Sequence, residues 1–360
     1  MAARRSYANE CLRPAVPLPG FTSTQPTFMK TLVEQFNAQM RDAIRIGQST
    51  KLTIAKREYR NIVIAGMGGS GIGGSVMSSI LFDRLAVPVT VVKSYDIPAF
   101  VDAHTLFVAC SFSGNTEETL AAVAQAQAKG AAIVGIMTGG QLKEIAEQHH
   151  YPHILFPGES KQPRANMGYS VFLLFYLLEA CGLIDRSFEA DLLEAATLCE
   201  AHETAIRTQA QALALALHER LPIVYADARL ESTAVRFQQQ VNENSKQLCH
   251  VNAFPEMNHN EIVGWENPKF LLDKTAVLLL HSGYDHPRVR QRMTLCRPVF
   301  EAQGASVSEI KAEGQSLTAQ IFYLTHLLDW TSVYLAEANG ADPAPVAVIN
   351  RLKEELTKLN

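Results

Sequence analysis

The chain reads as an α/β protein of two domains, each a mostly parallel sheet between two layers of helices. Three observations predict this. Short β-branched runs alternate with helical stretches of about 12 residues through the first half. The second half repeats that alternation more loosely. The 360 residues correspond to two domains at roughly 100–200 residues each.

The first residues are rich in Pro, Ser and Thr and read as a loose arm, followed by helical periodicity from Phe28 to Ile46; arm and helix together occupy residues 1–50. Strands are predicted at 61–65 (NIVIA), 87–92 (VPVTVV), 105–110 (TLFVAC), 131–136 (AAIVGI) and 153–156 (HILF), with helices over 74–85 and 116–129 between them. The apolar block Val171 to Leu178 reads as a buried helix. The first domain covers 51–186, with its boundary in Gly182 to Arg186, and the second covers 187–360. There the pattern gives a long helix over 189–219, a strand at 221–226 and a helix over 231–244. A buried strand at 275–281, a helix over 287–303 and a strand at 305–310 follow. Helices over 317–338 and 346–359 flank the loop GADPAP.

Composition excludes several classes. Hydrophobic residues make up 47% and charged residues 19%, as in an ordinary globular enzyme. Thirty-two basic against 36 acidic residues leave a net charge of −4, with no electrostatic footprint for nucleic acid or an anionic membrane. No apolar segment approaches about 18 residues, and no signal peptide precedes the first helix, so no membrane partner is expected. The six cysteines have no CxxC spacing and fit reduced, buried thiols in a cytoplasmic protein.

Two loops carry the chemistry. In NIVIAGMGGSGIGGS a strand runs into glycines and then a helix, at the carboxyl end of the sheet where such folds bind ligands. Glycines such as Gly69 let backbone N–H groups close around an anion, the helix start adds its positive dipole end, and Ser70 adds a hydroxyl. A tight turn without a ligand needs fewer glycines. Gly66, Gly68 and Gly71 formally satisfy a dinucleotide GxGxxG. Lys93 and Ser94 stand where an NAD site wants an acidic residue, although Lys93 suits NADP.

The second loop, Ser111-Phe112-Ser113-Gly114-Asn115-Thr116, follows strand TLFVAC and precedes a helix. Hydroxyls at Ser111, Ser113 and Thr116 can donate to phosphate oxygens without adding charge, beside another helix N-terminus. Capping alone explains one hydroxyl there and leaves two. Two phosphate cradles point to a phosphosugar more than to a dinucleotide.

SxSGNTxET after a GMGGSG strand end resembles the sugar isomerase (SIS) domain superfamily, which binds phosphosugars. QPRANMG at 162–168, VNENSKQ at 241–247 and PEMNHNEIVGW at 255–265 resemble the bifunctional phosphoglucose/phosphomannose isomerases. The resemblance spans roughly residues 55 to 350. It implies two flavodoxin-like α-β-α SIS domains and a homodimer whose active sites draw on both subunits. It also implies isomerisation of glucose or mannose 6-phosphate to fructose 6-phosphate through a cis-enediol, with no cofactor.

That chemistry needs an open ring, a base to move a proton between C1 and C2, and a grip on the phosphate. The resemblance assigns the base to Glu243 and ring opening to His259, which related dimers supply from the partner subunit. Imidazole suits that task because it donates and accepts near neutrality. The resemblance places Arg164 against the developing negative charge or the sugar hydroxyls. It offers Thr331 as a sugar contact. The family's lysine has no counterpart here, since its position holds Ala338. His259 with Glu256 or Glu261 lacks the helical spacing of a zincin, so no metal is expected. A non-catalytic phosphosugar regulator of the same fold, or an isomerase of another phosphosugar, are the alternatives. The first leaves Glu243 and His259 without work.

Overall fold

A computed structural model describes residues 28–54 and 57–358; the N-terminal arm, with Cys11, lies outside them. The first helical stretch is two helices, α1 (Phe28–Glu34) and α2 (Phe36–Ser49), interrupted at Gln35. Phe36, Met40, Ala43 and Gly47 recur at helical spacing and form the buried stripe of α2.

The first sheet comprises β1 (Asn61–Ala65), β2 (Val89–Val92), β3 (Thr105–Ser111), β4 (Ala132–Met137) and β5 (His153–Leu155). The order is β2-β1-β3-β4-β5 and every pairing is parallel. This is the flavodoxin-like order, whose switch point lies between β1 and β3. Ala65 pairs with Ala109, so the loops that leave these two strands start side by side. The connecting helices are α3 (Gly68–Ile80), α4 (Glu117–Ala128) and α5 (Gly140–Gln148), followed by α6 (Met167–Ala180) and α7 (Phe188–Leu217).

The second sheet repeats the plan. Its strands β6 (Leu221–Asp227), β7 (His250–Phe254), β8 (Thr275–His281) and β9 (Ser306–Lys311) lie in the order β7-β6-β8-β9, again all parallel. Between and after them run α8 (Glu231–Gln240), α9 (Lys269–Leu272), α10 (Pro287–Ala302), α11 (Leu317–Ala338) and α12 (Ala347–Leu356). Strand β7 is absent from the sequence reading because HVNAF carries too few β-branched residues to be noticed.

The main core lies between the sheets. Helix α6 buries every residue from Met167 to Leu178, and α11 buries all from Leu317 to Ala336. A helix apolar on every side must be covered on every side, and α11 packs along α7 as well as α8. The reading of Val171 to Leu178 as a buried helix holds. Burial pushes the Cys110, Cys181 and Cys249 thiols up to about 12, and all five described cysteines are unpaired. No described helix is long and apolar enough to cross a membrane.

Candidate active site

The two loops meet at the β1/β3 switch point. The Phe112 N–H, in the second loop, donates to Ser70 Oγ in the first (3.2 Å). Ser111 Oγ is buried, accepts from the Gly114 N–H (3.0 Å) and lies 2.9 Å from Thr116 Oγ1. Ser113 Oγ is exposed and accepts from the Asn115 N–H (3.2 Å). Thr116 is the N-cap of α4, yet its hydroxyl caps nothing; Met67 at the head of α3 has no capping side chain either. Both helix starts therefore keep first-turn N–H groups for an anion. Gly114 has φ +68°, and a Cβ there would collide with the Gly139 carbonyl oxygen at 1.7 Å, so this tight loop requires glycine.

The corresponding edge of the second sheet is already filled. Asp227 accepts from the Arg229 and His286 N–H groups, Asp285 from that of Ser282, and Gln320 Oε1 from that of Gly283. Protein carboxylates and an amide occupy the donors that a bound anion would use, which leaves the β1/β3 edge as the open one. Burial, with Asp227 nearby, pushes the Asp285 carboxyl up to about 6. A folded value above the unfolded one favours the fold below about pH 4, a contribution lost as pH rises to about 6. Asp285→Asn is therefore expected to gain on the wild type between pH 4 and 7, by about 2–3 kcal/mol. Urea midpoints across that range measure the difference.

Gly69 connects the phosphate edge to Arg164. A Cβ on Gly69 would stand 2.8 Å from the Pro163 carbonyl oxygen and 3.4 Å from the Arg164 Cα, so the PRA segment rests directly on the glycine loop. The Arg164 side chain is buried and reaches in several directions. Its Nε donates to Asn244 Oδ1 (2.7 Å), and one terminal nitrogen to Gln162 Oε1 (2.7 Å) and Glu243 Oε2 (3.4 Å). The other donates to the carbonyls of Pro343 (2.7 Å) and Ala344 (3.0 Å). All five donors of the guanidinium thus have acceptors. Of these oxygen contacts, the one to Glu243 is the longest.

Glu243 sits in a π-turn, Val241–Ser245, that continues α8. Such turns offset the helical phase and are frequent at functional sites. The offset buries Asn244 and Ser245 against α11, where Asn244 Nδ2 donates to Ser332 Oγ (2.9 Å) and Ser245 Oγ to the Ser332 carbonyl (2.6 Å). The Glu243 side chain stays 28% exposed and lines a groove of about 540 Å³ with Lys246, Leu248 and the start of α12. Beneath it, Arg236 bonds both the Arg164 carbonyl and Asp329 (2.7 Å each), and Gln240 donates to the other Asp329 oxygen (2.9 Å).

Two expected site residues stand apart. Thr331 is fully buried and its hydroxyl donates to the Leu327 carbonyl four residues back (2.8 Å), so it offers a sugar nothing in this structure. Helical phase turns Asp329 and Ser332 toward Arg236 and Asn244 instead. His259 ends a 3₁₀ turn (Glu256–His259) after β7, exposed and bonded to no described residue. Two residues on, Glu261 anchors that loop by accepting from His250, Asn252 and Tyr225. Burial raises the Glu261 carboxyl, but these three hydrogen bonds outweigh it and hold the group at about 2.

Residues 56–178 match the SIS domain, and residues 206–356 match the bacterial phospho-glucose isomerase C-terminal SIS domain. A bifunctional phosphoglucose/phosphomannose isomerase of Caldicellulosiruptor bescii is 38% identical over 328 residues, 89% of this chain and 96% of the relative. The chain belongs to the bifunctional phosphoglucose/phosphomannose isomerase family. A D-glucosamine-6-phosphate 4-epimerase of Sulfolobus acidocaldarius is also 33% identical over 286 residues, 74% of this chain and 90% of that relative. Among solved structures, the C-terminal domain of glucosamine-fructose-6-phosphate aminotransferase from Francisella tularensis shares the fold. Its TM-score is 0.66 at 13% identity, over 89% of this chain and 98% of that one.

For a member of this isomerase family, the sequence reading overlooked the support of the site: Arg236, Gln240, Asn244, Asp329 and Ser332. The visible signal was Asp329, a carboxylate inside the apolar run HLLDW.

Proposed function

We propose that this chain interconverts glucose 6-phosphate and mannose 6-phosphate with fructose 6-phosphate through a cis-enediol. The phosphate sits between the helix starts of α3 and α4, among Gly69, Ser70, Ser111, Ser113 and Thr116. Glu243 takes the C2 proton and returns it at C1. One observation carries the reading: Arg164, whose backbone rests on the glycine loop at Gly69, reaches the Glu243 carboxylate. A single residue thereby ties the phosphate edge to the base. Because its other donors are engaged, Arg164 acts chiefly by orienting Glu243, and only the arm on Glu243 can turn to an enediolate oxygen.

The proposal includes a homodimer in which the partner subunit supplies His259 for ring opening. In support, His259 is exposed without a bonded neighbour among the described residues, and Leu248 and Val348, 78% and 84% exposed, line the Glu243 groove. Apolar residues this open are suited to cover by a second chain.

The deciding assay incubates the purified protein with fructose 6-phosphate in D₂O, without nicotinamide. Deuterium at C2 of both aldose 6-phosphates is the expected result; no aldose would remove the reading. Thr116→Val and Ser113→Ala should each weaken substrate binding by about 0.5–1.5 kcal/mol, measured as a raised KM with little change in kcat. The epimerase relative motivates a second reading, an amino-sugar phosphate epimerase. Incubation with glucosamine 6-phosphate separates the two, since epimerisation gives the C4 epimer and the isomerase gives no such product.

A further inference from the structure

Isomerisation moves two protons, and Glu243 accounts for one. Between aldose and ketose a second proton must leave O2 and arrive at O1. We propose that Lys246 carries it, which rests on the isomerase reading above.

Lys246 closes the π-turn that holds Glu243 and adopts a left-handed backbone, φ 56° and ψ 36°. A lysine rarely takes that conformation, and such strain persists where surrounding contacts fix it. The turn folds the side chain back on its own loop. Nζ donates to the Glu243 carbonyl (2.6 Å) and lies 3.5 Å from the Pro343 carbonyl, which Arg164 also holds. Three donors against two acceptors leave an N–H for the groove that Lys246 and Glu243 line together. Burial, then the neighbouring Arg164, lowers the Lys246 pKa from its usual value, against the opposing carboxylates of Asp342 and Glu243.

The step balances. As Glu243 takes the C2 hydrogen, the ammonium gives a proton to O1, leaving the cis-enediol, a neutral carboxyl and a neutral amine. Glu243 then returns its proton to C1 while the amine takes the O2 proton. The ketose forms and both groups regain their starting charges. Arg164 cannot substitute, because a guanidinium does not deprotonate at working pH.

The experiment compares wild type, Lys246→Met and Lys246→Arg in fructose 6-phosphate turnover across pH, with thermal melting as the control for folding. Both variants are expected to lose kcat by at least about 100-fold with KM within about threefold of wild type. The wild-type alkaline limb of kcat, where the ammonium is lost, is expected to disappear in the residual activity of Lys246→Arg. Arginine restoring turnover to within about threefold would reduce Lys246 to a fixed charge and overturn the proposal; so would a Met variant that retains wild-type kcat. An inactive wild type would instead overturn the isomerase reading, and the role of Lys246 with it.

Discussion

Glu243→Gln is expected to lower kcat for fructose 6-phosphate by about 10²–10⁴-fold, the usual contribution of a positioned general base. KM and the melting temperature should stay near wild type. Glutamine matches glutamate in shape and keeps an oxygen for the Arg164 contact, but an amide does not take a proton from carbon at neutral pH. The variant removes the carboxylate beside the buried Arg164, but that contact is long at 3.4 Å and Glu243 is partly exposed, so the stability cost is expected to be small. Arg164 retains Asn244, Gln162 and the carbonyls of Pro343 and Ala344. Steady-state kinetics with a melting control test this. A variant above a tenth of wild-type turnover would remove Glu243 as the base.

Most of the strands were readable because parallel strands buried on both faces must be apolar runs, as TLFVAC and TAVLLLH are. The start of α3 was not. Glycine disfavours helix, so the sequence placed the helix start at Gly74, whereas the helix begins at Gly68. Contact requires those glycines: a Cβ on Gly71 would meet the Gly66 carbonyl oxygen at 2.3 Å, and one on Gly74 the Ile64 side chain at 2.9 Å. Close approach to the sheet outweighed local propensity. At the candidate site, the two loops that meet at the β1/β3 edge and the segment around Glu243 stood out in the sequence because each is a short contiguous motif. The contacts of Arg164 join residues about 80 and 180 positions apart, a spacing that no local pattern encodes. Thr331 was misread for a related reason: its residue type fits a sugar contact, but its place on the face of α11 decides its neighbours.

Asp329→Ala is expected to destabilise the protein by about 3–5 kcal/mol, because it strands a buried guanidinium. Arg236 is 2% exposed, and its bond to Asp329 is its one carboxylate contact among the described residues. Its Nε has no described partner, so no spare acceptor waits nearby. Gln240 loses its partner in the same variant. Turnover should fall too, since Arg236 also holds the Arg164 carbonyl and through it the orientation of Glu243. Urea midpoints of four proteins separate charge from packing: wild type, Asp329→Ala, Arg236→Met and the double variant. If the stranded charge is the main cost, the double variant is more stable than Asp329→Ala alone, since it buries no unpaired ion. If the two single effects simply add, the carboxylate acts through packing, and Arg236 finds its compensation elsewhere.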